Sequence, residues 1–414
     1  MKETMRINFD STPQPMRGDI EGTWAHTSIT RRLPEIGMRI IEENSYPEAI
    51  EKGLLSLIAE IPWGKIKKIQ HEQNEACEVW NDINDIINPY AGQNWLQAPW
   101  FFAEFYFYWR VLHATGYFGE EEYAHCDPFR YQKREGLKSS LPLFEQSFDV
   151  LGLNYRGMDQ KHSLEQLLHF SVSGNKMDLS LWPVGSEPHS LRAANFEAGD
   201  LVVDHSGQIA NWLSGTHLER VDFFIDNAGF ELLADLLLAD FLLYEKLVNQ
   251  IIFHLKPFPI FVSDAMEEDV LETVDFLQEY GSSKICVFAK RVKSILHDNK
   301  LLLSSHNFWG QPLPLWEAPT DLMEVIKSSD LLVSKGDANY RRVLGDLIWD
   351  RFASLSYVLH WLPVPLLFIR ILKSEIGLGF SRQRVNTIQT RDPLWMQNGK
   401  WGLIQLWEGN NNSI

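Results

Sequence analysis

Residues 223–243 read FFIDNAGFELLADLLLADFLL and change character twice. A short apolar run ends at Ile225, and the polar turn Asp226-Asn227-Ala228-Gly229 follows. Beyond the turn Leu232, Leu233, Leu236 and Leu243 recur at helical spacing. An apolar run that stops abruptly and feeds a helix through a glycine-containing turn is half of a βα unit. The strand is predicted over 222–225 and the helix over 229–247. Working outward, comparable runs at 251–255, 260–262, 301–303, 331–333, 366–372 and 401–406 predict further strands separated by amphipathic stretches, the pattern of a mainly parallel sheet. Upstream, from 29 to about 171, apolar residues lie three and four apart, as in Leu33, Ile36, Ile40 and Ile41. The segment 100–117, WFFAEFYFYWRVLHATGY, is apolar nearly all round and predicts a buried helix whose Glu104 and Arg110 need partners. The expected architecture is α/β: a helical N-terminal layer on a Rossmann-like three-layer αβα domain. The expected boundaries are a tail over 1–28, a helical domain over 29–175 and an α/β metal- and substrate-binding domain over 176–414.

The chain has 414 residues, of which 45% are hydrophobic and 22% charged, the make-up of a packed globule. Lys and Arg number 38 against 55 Asp and Glu, a formal net charge of −17. Such a surface repels phosphate backbones and anionic lipid, so nucleic-acid and membrane-surface partners are not expected. The start of the chain has no apolar segment behind its charges, and the greasiest stretches are broken by Asp235 and Asp240 or by Pro363, Pro365 and Arg370. Cys77, Cys126 and Cys286 form neither a disulfide framework nor a CxxC pair, which fits a reducing, cytoplasmic location. The oligomeric state is open at this level.

In open α/β sheets ligands bind at the carboxyl ends of strands. After FFI stand Asp226 and Asn227; after 260–262 stand Ser263 and Asp264. After 331–333 stand Ser334-Lys335-Gly336-Asp337-Ala338-Asn339-Tyr340-Arg341, and the 366–372 run ends in Lys373. Asp226, Asn227 and Asp264 are hard oxygen donors suited to Mg²⁺ or Mn²⁺. Arg341 and Lys373 supply the positive charge that an acidic protein needs to hold a phosphorylated small molecule. Each aspartate by itself is equally well a helix N-cap; the coincidence of four strand ends argues for a site.

At these positions the sequence resembles the DUF89 damage-control phosphatases, subfamily III, the acidic-residue methyltransferase-like group. The resemblance rests on FFIDNAGFELLADLLLADFLL, on FPIFVSDAMEEDV (258–270), LLVSKGDANYRRVLGD (331–346) and NGKWGLIQL (398–406), and on ITRRLPEI, PWFFAEFYFYWR and SGNKMDLSL earlier in the chain. It implies a metal-dependent hydrolase of phosphomonoesters, with sugar phosphates such as fructose 1-phosphate or fructose 6-phosphate as substrates and Mn²⁺, Ni²⁺, Co²⁺ or Mg²⁺ as cofactor. By the same resemblance, Asp226, Asn227 and Asp264 match the metal ligands and catalytic residues. Asp337, Asn339, Tyr340 and Arg341 match the substrate-binding run, and Lys373 matches the lysine of an RTxK motif.

Here that motif reads Arg370-Ile371-Leu372-Lys373. Strand alternation places Ile371 on the face of Lys373, so Ile371→Thr is expected to alter catalysis more than stability. Two rival readings are S-adenosylmethionine-dependent methylation of protein glutamate and a metal-binding remnant without turnover. A GxGxxG turn after a strand is missing, which weakens the first. Glu104 with Arg110 reads as a buried structural pair, and His306 as a hydrogen-bonded loop residue.

Overall fold

The computed structural model describes residues 12–71, 77–120, 122–150, 159–176 and 198–410. The first eleven residues of the expected tail and the 177–181 portion of SGNKMDLSL lie outside the described residues. Seven strands form one sheet: β1 (Leu201–Asp204), β2 (Leu218–Phe224), β3 (Val248–Leu255), β4 (Leu301–Ser305), β5 (Leu331–Lys335), β6 (Leu366–Ile371) and β7 (Gly402–Trp407). Their spatial order is β1-β7-β6-β5-β2-β3-β4. All neighbours are parallel except β6 and β7, so β1 and β7 run against the other five.

Both faces of the sheet are apolar, because helices cover both. Phe224, Leu332, Leu366, Phe368 and Leu403 pack with the N-terminal helices, including Leu33–Glu43 and the aromatic helix Trp100–Ala114. Val221, Phe223, Val333, Leu367, Ile369, Ile371 and Ile404 pack with the central helix Phe230–Tyr244, which is buried nearly all round rather than on one face. The expected helical unit 29–175 divides between the two layers: Arg130–Val150 and Gln160–Lys176 pack with the central helix on the second face.

Two strand expectations change. The short edge strand β1 was not foreseen; it has four residues and its burial falls off toward Asp204, so it carries almost no periodic signal. Residues 260–262 are not a strand: a turn spans 261–263, and in it Phe261 adopts φ of 60°, a left-handed conformation no strand tolerates. The Phe261 ring packs on Phe105 and Tyr108 of the aromatic helix, at 5.2 and 5.1 Å between centroids. That tertiary contact holds the strained residue.

Candidate active site

The strand-to-helix turn after β2 is the anchor of the site. Ala265 N–H donates to the Asp226 carbonyl at 2.8 Å, and Ala228 N–H to that of Ser263 at 2.6 Å. These bonds pin the 263–265 loop to the turn, and Asn227 and Asp264 form an isolated antiparallel bridge. Asp264 therefore reaches the site through the loop after β3, not from the end of a strand over 260–262. On the other side of Asp226, Gly336 opens the helix Gly336–Val343 with φ of 76°, and a Cβ there would lie 1.8 Å from Asp226 Oδ2. Only glycine combines that conformation with so close a carboxylate.

Asp226, Asn227 and Asp264 are all buried and line one cleft. Asp226 Oδ2 accepts amide hydrogens from Asn227 at 2.8 Å and Asn175 at 3.2 Å; Ser263 Oγ donates to Asn227 Oδ1 at 2.6 Å, and Lys256 pairs with Asp264 at 2.9 Å. Burial, then repulsion from Glu231 and Asp264, holds the Asp226 carboxyl well above the usual carboxylate range, against the pull of Lys256 and Lys373. Behind this group lies a buried relay. Asn175 and Asn227 both donate to Glu231 Oε2 at 2.8 Å, and Lys335 pairs with Glu231 at 3.4 Å and with Asp235 at 3.0 Å.

Asp337 also lines the cleft; Arg370, Ser374 Oγ and the Lys373 amide all meet it at Oδ1. The Lys373 ammonium lines the same cleft and donates to the Asn175 carbonyl at 3.1 Å. Arg341 lies 3.5 Å from the Trp100 ring centroid and is held by Glu104 and Asp346, each at 2.7 Å. Burial disfavours its charge, but Asp346 and Glu104 outweigh this and raise the guanidinium above its ordinary value. Its Nη2 is buried without a partner among the described residues.

Asn339 and Tyr340 are placed differently from the substrate contacts expected of them. The Asn339 amide donates to the carbonyls of Phe224, Ile225 and Lys335, tying the ends of β2 and β5 together. Tyr340 is fully buried, accepts the Leu378 N–H at 3.1 Å and sits 4.0 Å beneath the Arg370 guanidinium. Neither is among the residues lining the cleft.

Ile371 also departs from expectation. It is fully buried with Val172, Ile369 and Ile404, while Arg370 points to the opposite face and reaches Asp337. The alternation read from sequence is real, but β6 ends at Ile371, so it does not extend to Lys373. Glu104 and Arg110 do not pair with each other: six positions on a helix separate side chains by roughly 240°. Arg110 pairs with Glu60 at 3.0 Å, and Glu104 lines the cleft. His306 accepts the Phe308 N–H at 3.0 Å as the cap of the Asn307–Gly310 turn.

Sequence reasoning passed over several residues. Lys256 is the first residue after β3 and answers to the same strand-end rule. Glu231 stands four residues after Asn227, one helical turn on. Asn175 sits in SGNKMDLSL, whose likeness to family segments was its only signal. Trp24 and Arg32, which also line the cleft, come from the N-terminal segment; Arg32 lies in ITRRLPEI, whose likeness to family segments was its only signal, and Trp24 had none. The residues that would hold a metal are Asp226, Asn227 and Asp264, two buried carboxylates and an amide, a set of oxygen donors whose chemistry fits a hard divalent cation completed by water.

Residues 28–387 match the model of the damage-control phosphatase ARMT1-like domain. The chain belongs to this family. It is 30% identical to the damage-control phosphatase ARMT1 of Xenopus tropicalis, with 95% of this chain and 98% of that one covered. It is 28% identical to the damage-control phosphatase ARMT1 of Danio rerio (95% and 97% covered) and 26% to that of Homo sapiens (95% and 98%). A solved DUF89 family structure from Pyrococcus horikoshii is similar at 15% identity and a TM-score of 0.49, covering 96% of this chain and 100% of that one. Membership in the ARMT1-like family supports a phosphatase with a housecleaning role. No helix among the described residues of this ARMT1-like chain is long and apolar enough to cross a membrane.

Proposed function

We propose that the chain hydrolyses phosphomonoesters, sugar phosphates such as fructose 1-phosphate or fructose 6-phosphate foremost, with Mn²⁺, Ni²⁺, Co²⁺ or Mg²⁺ held by Asp226, Asn227 and Asp264. The observation that carries this reading is the meeting of those three oxygen donors with Arg341 and Lys373 in one cleft. A divalent ion bound there supplies Lewis-acid polarisation of the phosphoryl group.

The chain's own residues do the rest. The unpartnered Nη2 of Arg341 and the Lys373 ammonium bind phosphoryl oxygens and offset the charge that develops on them. Asp337 Oδ2 accepts a hydrogen from the sugar or from the attacking water. Trp24, Trp100 and Phe261 form apolar walls that exclude bulk water and suit the C–H faces of a sugar ring. Lys335 and Glu231, acting through Asn227 and Asn175, fix the Asp226 carboxylate.

The test is orthophosphate release from a panel of sugar phosphates by the purified chain with each ion, beside a parallel incubation with labelled S-adenosylmethionine. Metal-dependent release is expected. Methyl transfer to protein carboxyls without any phosphate release would overturn the reading.

A further inference from the structure

We infer that Arg32, contributed by the N-terminal helical layer, is a second guanidinium that binds the phosphoryl group together with Arg341; this rests on the phosphatase reading above. Arg32 lies in a π-helical turn, Ser28–Arg32, between the helical turn Trp24–Thr27 and the helix Leu33–Glu43. A π-turn inserts one extra residue and redirects the side chains that follow, and such turns gather at functional sites. Here the result is that Ser28 Oγ and Arg32 Nη1 both donate to the same oxygen, Glu104 Oε1, each at 3.3 Å. The neighbouring Arg31 stays exposed.

Glu104 Oε2 meanwhile accepts from Arg341 Nη1 at 2.7 Å. One buried carboxylate from the aromatic helix thus spaces two guanidiniums, one from each layer, on the wall of a single cleft. Each guanidinium is left with one buried N–H that has no partner among the described residues: Nε of Arg32 and Nη2 of Arg341. Buried donors without partners are rare because they forfeit their hydration for nothing. Two of them, on side chains that line one cleft and are already held in place, suit a ligand with several anionic oxygens. A phosphoryl group has that geometry, and guanidinium matches it better than ammonium does. The N-terminal layer therefore completes the substrate site, and Arg32 contacts substrate from a position some 190 residues before Asp226.

The experiment measures orthophosphate binding by calorimetry in Mn²⁺ buffer, together with kcat/KM on the best phosphomonoester, for the full chain and for Arg32→Ala and Arg32→Lys. Arg32→Ala is expected to weaken orthophosphate binding about ten- to a hundredfold, the size of a lost hydrogen bond to a charged group, and Arg32→Lys to recover only part. Arg32→Gln, which keeps a donor for Glu104, serves where the alanine variant does not fold. An unchanged orthophosphate Kd in the folded variants, or no orthophosphate binding by the unaltered chain, overturns the inference. If the unaltered chain hydrolyses nothing yet loses orthophosphate binding on Arg32→Ala, the anion contact stands and the phosphatase reading fails.

Discussion

Ile371→Thr restores the threonine of the subfamily motif, and its expected effect is on stability, with turnover left within about twofold. Ile371 is 0% exposed and packs with Val172, Ile369 and Ile404 in an interior strand. A Cβ on Gly402 of β7 would lie 3.1 Å from its Cδ1, so the site is already close-packed. The substitution removes one methyl group and puts a hydroxyl where a methylene was. The lost contacts and residual cavity cost about 0.5–1.5 kcal/mol. Burying a hydroxyl among apolar neighbours adds about 1–3 kcal/mol. Taken together, the loss is about 2–4 kcal/mol. At roughly 2.1 cal/mol/K of unfolding entropy per residue, the 414-residue chain loses about 2–5 °C in Tm. The backbone N–H of Ile371, which donates to Asn175 Oδ1 at 2.8 Å, is untouched, so Asn175 keeps its grip near Asp226. Thermal denaturation and kcat/KM on the best sugar phosphate are measured side by side. An unchanged Tm with a severalfold rise in kcat/KM would refute the placement of Ile371 in the apolar layer.

Three further outcomes follow from the site. Gly336→Ala is expected to abolish activity and to lower Tm, because its Cβ would fall 1.8 Å from Asp226 Oδ2 at a φ of 76°; retention of near-normal turnover would sink this account of the glycine. Asp226→Ala, or exhaustive dialysis against EDTA, is expected to eliminate phosphate release while the fold persists, since the mutation removes a carboxylate that Glu231 and Asp264 repel; activity at the original level in either case contradicts the assignment. Burial outweighs the attraction of Lys335 and raises Asp235 to about 7, because one lysine cannot neutralise both Asp235 and Glu231 in a dry site. A carboxyl raised in the folded state adds stability that is fully present below its unfolded pKa of about 4 and is lost as pH climbs through the folded value. Asp235→Asn is therefore expected to flatten the fall in stability between about pH 5 and 7, read as Tm against pH, and an undiminished slope would argue against a protonated Asp235.

What the sequence determined by itself is local. The abrupt end of an apolar run, a glycine-containing turn and a helix period fix where Asp226, Asn227, Asp337 and Arg341 fall, since chain neighbours a few residues apart have few alternative placements. Five of the predicted strands overlap parallel strands of the sheet and a sixth overlaps the antiparallel β7 for the same reason. The tertiary structure decided whatever depends on which face meets which layer. Both faces of β6 are apolar, so the pattern LLFIRIL cannot say that Ile371 turns toward the central helix and Arg370 toward Asp337. The run 260–262 is as apolar as a strand, yet its contact with Phe105 and Tyr108 makes it a turn. Asn339 and Tyr340 were expected as ligand contacts through the family resemblance, and in the folded chain their side chains hydrogen-bond the backbone instead. The meeting of Arg32, Glu104 and Arg341 brings together three distant segments. No periodicity encodes such a meeting, because it arises only when a buried carboxylate must find its cations within the packed layers.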